Sequence, residues 1–157
     1  LLYGQRQAPD RRPLPVKPGA RRPQHTEIRG GSIIVPLDVL IVDDSAAIRK
    51  ILHRVLLQAE IPLGQVYEAG DGAAALHELK RANVGLILSD INMPEMDGLQ
   101  FLEAVKGDQA LRSIPFILIT TEGGSEKVMK AVALGAHGYV RKPFTADQIR
   151  AKLAGLY

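Results

Sequence analysis

Five times between Leu37 and Leu156 a short β-branched or aliphatic run gives way to a longer segment whose apolar residues recur at helical spacing. This alternation constrains the fold more than any other feature of the chain. The runs are Val39-Leu40-Ile41-Val42, Val66 to Ala69, Leu86-Ile87-Leu88, Phe116-Ile117-Leu118-Ile119 and Tyr139-Val140, short enough to be buried strands. The intervening segments read as helices over residues 46 to 59, 72 to 81, 98 to 106, 126 to 134 and 146 to 156. Ser45, Asp71, Ser125 and Thr145 stand where N-caps belong, and Gly135 where a C-terminal glycine belongs. In the first helix Ile48, Ile51, Leu52, Val55 and Leu56 share one face, and Arg49, Lys50 and Arg54 the solvent face. In the last, Ile149, Leu153 and Leu156 face inward. Strict βα alternation predicts an α/β fold: a doubly wound, five-stranded parallel sheet with five helices on its two faces, because crossovers between parallel strands are almost always right-handed.

Residues 1–32 do not share this pattern. They hold five of the ten prolines and the pairs Arg11-Arg12 and Arg21-Arg22, with few spaced apolar residues. Such a stretch cannot bury a core and is expected to be a disordered basic tail, leaving residues 33–157 as one domain. The tail carries seven Lys/Arg against two acids, a charge of +5; the remainder carries thirteen against fifteen, or −2. The overall +3 therefore belongs to the tail, and the domain itself is not expected to bind DNA directly. The chain has no cysteine, which excludes disulfides, thiolate metal sites and a cysteine nucleophile. No apolar run approaches the roughly 20 residues needed to span a bilayer, so no membrane insertion and a cytoplasmic location are expected.

In a parallel sheet every strand ends on the same edge. That edge would gather Asp43 and Asp44 after the first strand, Asp90 after the third, Thr120 from the fourth and Lys142 after the fifth. Open α/β sheets bind their ligands there. Three converging carboxylates repel one another unless a cation is present. An all-oxygen set suits magnesium, which takes one or two carboxylates and keeps water and phosphate oxygens as its other ligands. A lysine and a magnesium ion flanking an aspartate match the needs of phosphoryl transfer, where positioning and charge neutralisation carry most of the catalysis. Asp90 would be the acceptor. Taken singly, each of these residues is more often a turn former, a helix cap or a solvated loop residue; their joint placement carries the reading. His25, His53, His77 and His137 show no ligand-like spacing and read as surface or packing residues.

The motifs Val42-Asp43-Asp44, Ser89-Asp90-Ile91-Asn92-Met93-Pro94, Asp97-Gly98, Ile119-Thr120 and Gly138-Tyr139-Val140-Arg141-Lys142-Pro143-Phe144 resemble those of the response-regulator receiver domain, most of all its single-domain chemotaxis type, over residues 35–157. The resemblance implies a flavodoxin-like sheet of order 2-1-3-4-5, which spacing alone does not give. It also implies a two-component switch, not an enzyme in the ordinary sense. A sensor histidine kinase would donate a phosphoryl group to Asp90. Asp43, Asp44, Asp90 and the backbone carbonyl of Asn92 would hold Mg2+, and Lys142, after a cis bond to Pro143, would contact a phosphoryl oxygen. Thr120 and Tyr139 would then switch together and reshape the surface of the fourth helix, fifth strand and fifth helix for a protein target, the flagellar motor or another. Tyr139 and Lys152 would lie on that surface. With no output domain after Leu156, the effector would be a separate partner.

Two of three other readings differ at named positions. A haloacid-dehalogenase-like phosphohydrolase needs a second aspartate two residues after the first, where this chain has Asn92. A phosphorylation-independent binding module would not need the full set Asp43, Asp44, Asp90, Thr120 and Lys142. A phosphorelay intermediate, passing its phosphoryl group to a histidine on another protein, stays open. By the same resemblance Asn92, Thr121 and Glu122 tune phosphoryl lifetime. The position of Thr121 is usually small in the family, and its side chain narrows the approach of water. Thr121→Ala is therefore expected to shorten the lifetime of the phosphorylated protein severalfold, followed as decay of the adduct; equal decay rates would refute this role.

Overall fold

A computed structural model describes residues 27–29, 32–121 and 125–156. The chain opens with a two-stranded antiparallel pair, β1 (Glu27–Arg29) and β2 (Ser32–Ile34), in the register Glu27↔Ile34. Regular structure thus begins inside the stretch expected to be disordered. The signal was present in the sequence: Gly30-Gly31 between isoleucine-bearing flanks is a two-residue hairpin pattern. Residues 1–26 of the expected tail lie outside the described residues.

The domain follows as β3 (Leu37–Val42), α1 (Ala46–Gln58), β4 (Leu63–Ala69), α2 (Gly72–Arg81), β5 (Leu86–Ser89), α3 (Gly98–Lys106), β6 (Phe116–Thr120), α4 (Glu126–Ala133), β7 (Gly138–Arg141) and α5 (Ala146–Ala154). The sheet runs β4-β3-β5-β6-β7, all parallel. Counted within the sheet this is the order 2-1-3-4-5. The central strands β5 and β6 are buried along their whole length, as strands covered by helices on both faces must be.

Side chains alternate across the sheet with period two, and this alternation builds two separate cores. Leu40, Val42, Ile87, Phe116 and Leu118 point to one face and pack with Ala75, Leu79, Phe101, Leu102 and Val128 of α2, α3 and α4. The Phe101 and Phe116 rings meet there at 5.4 Å, tilted by 51°. Val39, Ile41, Leu86, Leu88, Ile117 and Ile119 point to the other face, against Leu52 and Leu56 of α1 and Ile149 and Leu153 of α5.

Each expected cap is in place. Ser45, Asp71, Ser125 and Thr145 accept from the third backbone N–H of their helices, and Asp97 and Thr145 form full capping boxes with Gln100 and Gln148. Gly135 follows α4 at φ +111°, a backbone that a side chain would strain. Three local differences have physical causes. β4 begins at Leu63, within the expected turn, because the Asp38 carboxylate accepts from Gln65 N–H at 2.7 Å across a register shift and holds the strand there. α5 ends at Ala154, before Leu156, which still packs on the second core. Ile51 is 45% exposed and not inward: α1 buries the stripe of Leu52, Val55 and Leu56, and Ile51 lies just off it.

The loop from β5 to α3 is held by a backbone contact that leaves no room for a side chain. Gly98 N–H donates to Ile91 O at 2.7 Å. A Cβ on Gly98 would stand 2.2 Å from the Asp90 carbonyl oxygen and 2.7 Å from Ile91 Cα. Gly98→Ala is therefore expected to destabilise the fold by about 2 kcal/mol, within the range for overpacking, and to displace the loop that carries Asp90. Chemical denaturation of the two proteins measures the first effect; a loss within error of zero would refute the close approach.

Candidate functional site at the carboxyl edge of the sheet

β3, β5, β6 and β7 all terminate on one edge, and their last hydrogen bonds set the positions of the residues that follow. Asp90 N–H donates to Val42 O at 2.8 Å, Asp43 N–H to Ala69 O at 3.1 Å and Lys142 N–H to Thr120 O at 2.8 Å. Asp43, Asp90, Thr120 and Lys142 are thus fixed by the sheet's own ladder. Carboxylate oxygens of Asp43, Asp44 and Asp90 lie within 4.8 Å of one another. Asp43 is buried, Asp90 half-buried and Asp44 exposed, so the cluster opens to solvent on the Asp44 side.

Lys142 reaches into this cluster from the far side of the sheet. Its Nζ lies 2.7 Å from Asp43 Oδ2 and 3.3 Å from Asp90 Oδ2. Its bond to Pro143 is cis. The remaining carboxylate lone pairs meet backbone donors: Asp43 Oδ1 accepts from Ser45 N–H at 2.9 Å, and Asp90 Oδ1 from Ile91 N–H at 2.8 Å. Burial pushes the Asp90 carboxyl above the ordinary carboxylate range; Lys142 and the Ile91 N–H pull it down, but Asp43 adds to the rise. For Lys142 burial acts downward, yet the hydrogen bond it donates to Asp43 and the two negative charges outweigh it, and its pKa is raised. A charged ammonium faces a carboxylate that ionises reluctantly.

The donor set fits a hard divalent cation. It is all oxygen and carries several negative charges, with no histidine or thiolate in the group.

Thr120 is buried at the end of β6, one strand from Lys142, and Thr121 beyond it is exposed. Asn92 is exposed beside the cluster and its Oδ1 accepts from Lys127 Nζ of α4 at 3.0 Å. Glu122 lies outside the described residues. Tyr139 sits on β7, 37% exposed, with Lys152 Nζ 6.0 Å from its ring centroid. Of the four histidines, His137 is exposed, and its Nδ1 accepts from Phe116 N–H at 3.1 Å.

Two residues of the site escaped the sequence reading. Arg49 does not lie on a solvent face: its Nη1 donates to the Asp43 carbonyl and its Nε pairs with Glu68 Oε1 at 2.9 Å, with 18% of the side chain exposed. It clamps α1 and β4 to the loop that carries the acidic pair. The available signal was Glu68, a lone charge within a strand. Lys127 gave no signal, because its partner lies in a loop 35 residues away.

A model of the response regulator receiver domain matches residues 39–154. The chain belongs to the response-regulator receiver family. Among curated receiver proteins it is 34% identical over 121 residues to chemotaxis protein CheY-3 of Vibrio cholerae, an alignment covering 77% of this chain and 92% of that one. It is equally identical to CheY of Pseudomonas aeruginosa, covering 96% of that protein. Among solved receiver structures, CheY4 of Vibrio cholerae superposes with a TM-score of 0.70 at 34% identity, covering 78% of this chain and all of that one. A CheX-CheY-BeF3-Mg+2 complex from Borrelia burgdorferi matches with a TM-score of 0.70 at 26% identity, over 77% of this chain and 89% of that one. The receiver domain is thus of CheY type, a component of two-component signalling.

Receiver chemistry has a stability cost in this geometry. Because the folded-state pKa of Asp90 is raised above its unfolded value, the native state binds more protons, and ionising Asp90 costs stability as pH rises through the folded pKa. In divalent-free buffer at neutral pH, Asp90→Asn is expected to melt above the parent protein, with the gap narrowing on acidification. Lys142→Met should move the other way, by about 3 kcal/mol, because it strands the buried Asp43 charge. Parallel thermal melts check both; an Asp90→Asn protein less stable than the parent would contradict the cost of ionising a carboxyl that burial holds above its ordinary pKa.

Proposed function

We propose that this receiver domain is a phosphorylated switch whose acceptor is Asp90. What carries the reading is Lys142: one ammonium spans Asp43 and Asp90 at 2.7 and 3.3 Å, at the sheet edge where three carboxylates converge. Asp43, Asp44 and Asp90, with the backbone carbonyl of Asn92, would hold a magnesium ion. When bound, that ion neutralises charge on the carboxylates and on the incoming phosphoryl oxygens. The Borrelia burgdorferi relative, described as a complex with CheX, BeF3 and Mg2+, supports a divalent cation here.

In the proposed reaction a carboxylate oxygen of Asp90 attacks the phosphorus of a phosphohistidine on a sensor kinase. The phosphorus–nitrogen bond breaks as the aspartyl–phosphate bond forms, and the departing imidazole nitrogen takes up a proton. Lys142 stabilises negative charge on a phosphoryl oxygen, a task suited to a point charge held by backbone hydrogen bonding. Thr120, one strand away, donates its hydroxyl to the phosphoryl group once it is present. Tyr139 follows, and the face formed by α4, β7 and α5 changes shape. Exposed Met129, Val132 and Tyr139 offer that face an apolar surface for a protein partner. Asn92, Thr121 and Glu122 set the lifetime of the acyl phosphate.

The test is phosphorylation by acetyl phosphate, with and without magnesium, read by intact mass on the parent and on Asp90→Asn. The expected result is one added phosphoryl group that requires magnesium and is lost in the variant. A parent protein that gains no mass, or a variant that gains as much as the parent, would overturn the assignment; the first outcome would direct attention to a binding module that works unmodified.

A further inference from the structure

Asp44 is the exposed member of the acidic cluster, and among the described residues nothing donates to its carboxylate. Its direction is set by the backbone on either side of it. A residue has two soft dihedral angles, so fixing the peptide units before and after it fixes where its Cα–Cβ bond points. The unit after Asp44 is held through Ser45 N–H, which donates to Asp43 Oδ1 at 2.9 Å. The unit before it is held through its carbonyl, Asp43 O, which accepts from Arg49 Nη1.

Helix energetics do not explain an arginine at this position. Arg49 stands in the first turn of α1 and its N–H makes the helix's first bond, to Ser45 O at 3.1 Å, where the helix dipole disfavours a cation. Its charge is offset from another element: Nε lies 2.9 Å from Glu68 Oε1 of β4. The guanidinium crosses the end of that strand at Gly70, where a Cβ would lie 3.9 Å from Nη1. Only 18% of the side chain is exposed. One planar group thus spans a carboxylate and a carbonyl at once, which a lysine ammonium does not reproduce.

We propose that Arg49 is a positioning residue for the cation site: it holds the Asp43–Asp44 peptide so that Asp44 is aimed into the cluster, while Glu68 offsets its charge. The inference rests on magnesium binding by Asp43, Asp44 and Asp90 and extends it to a residue that touches no metal. Charge alone predicts the opposite effect. Arg49 is a cation beside a site for a dication, so by Coulomb's law its removal favours the metal. Loss of a partner that orients a ligand instead weakens metal binding, by roughly 10- to 100-fold. The sign of the change separates the two roles.

The test is a magnesium titration of the isotope-labelled full chain, without any phosphoryl donor, followed through the amide signals of Asp44 and Asp90. Arg49→Met is expected to raise the Kd for magnesium about tenfold. Arg49→Lys keeps the charge and much of the stem, so it tests the same role in a protein with less lost packing, and it should raise the Kd severalfold. In an Asp44→Asn background, Arg49→Met should change the Kd by less than about twofold, because the carboxylate it aims is gone. An unchanged or lower Kd in the single variants would overturn the positioning role and leave magnesium binding intact. So would an equal loss with and without Asp44→Asn, the mark of a general structural effect. A parent protein that does not bind magnesium would remove the reading on which the inference rests, and the inference with it.

Discussion

Three carboxylates cannot share one edge of a sheet without something to offset their repulsion, and in this receiver domain the fold supplies that offset as a single lysine. Lys142 is placed by the last backbone hydrogen bond between β6 and β7, not by a flexible loop. Its ammonium meets the buried Asp43 and the half-buried Asp90 together. The rest of the edge depends on this balance. Ser45 and Ile91 N–H groups take up the other carboxylate oxygens, Arg49 holds the Asp43 carbonyl, and Gly98 lets the β5–α3 loop close beneath Asp90. The arrangement is tight around Asp43 and open around Asp44, so one side of the cluster is structural and the other faces solvent.

Much of this was legible in the chain, for reasons that differ by residue. The βα alternation fixes which residues end strands, and a parallel sheet then brings Asp43, Asp44, Asp90, Thr120 and Lys142 to one edge without any knowledge of side-chain geometry. Caps were legible because Ser45, Asp71 and Thr145 bond to backbone three residues on, a purely local event. Arg49 was misplaced because helical periodicity assigns a charged residue to water by default, whereas its partner Glu68 comes from another strand 19 residues away. Ile51 failed in the opposite sense: a helix on the flank of a sheet buries a narrow stripe, and hydrophobicity alone does not say where the stripe ends. The pairing of Lys127 with Asn92 depends on how α4 sits over the loop, which no local pattern encodes.

On the proposed reading, the distance from chemistry to output is one strand. Thr120 ends β6 and is buried; Tyr139, on the neighbouring β7, is paired in register with Leu118 and stands partly in solvent. A change in the hydroxyl position of Thr120 would act on a neighbour already in contact with the exposed face. The Lys127–Asn92 bond links the β5–α3 loop, which carries Asp90, to α4 directly.

The two outer strands of the sheet, β4 and β7, bear on a different problem, that of keeping molecules apart. An edge strand offers unpaired backbone groups to any other strand that approaches. β7 is four residues long, ends in Arg141 and is followed by Lys142 and Pro143, which gives an incoming strand little to pair with and a residue that lacks an N–H. β4 is longer, but its start is skewed by the shift in register opposite Leu37 and Val39, and Gln65 and Glu68 project along it. Both margins of the five-stranded sheet are therefore poor templates for extension by an incoming strand.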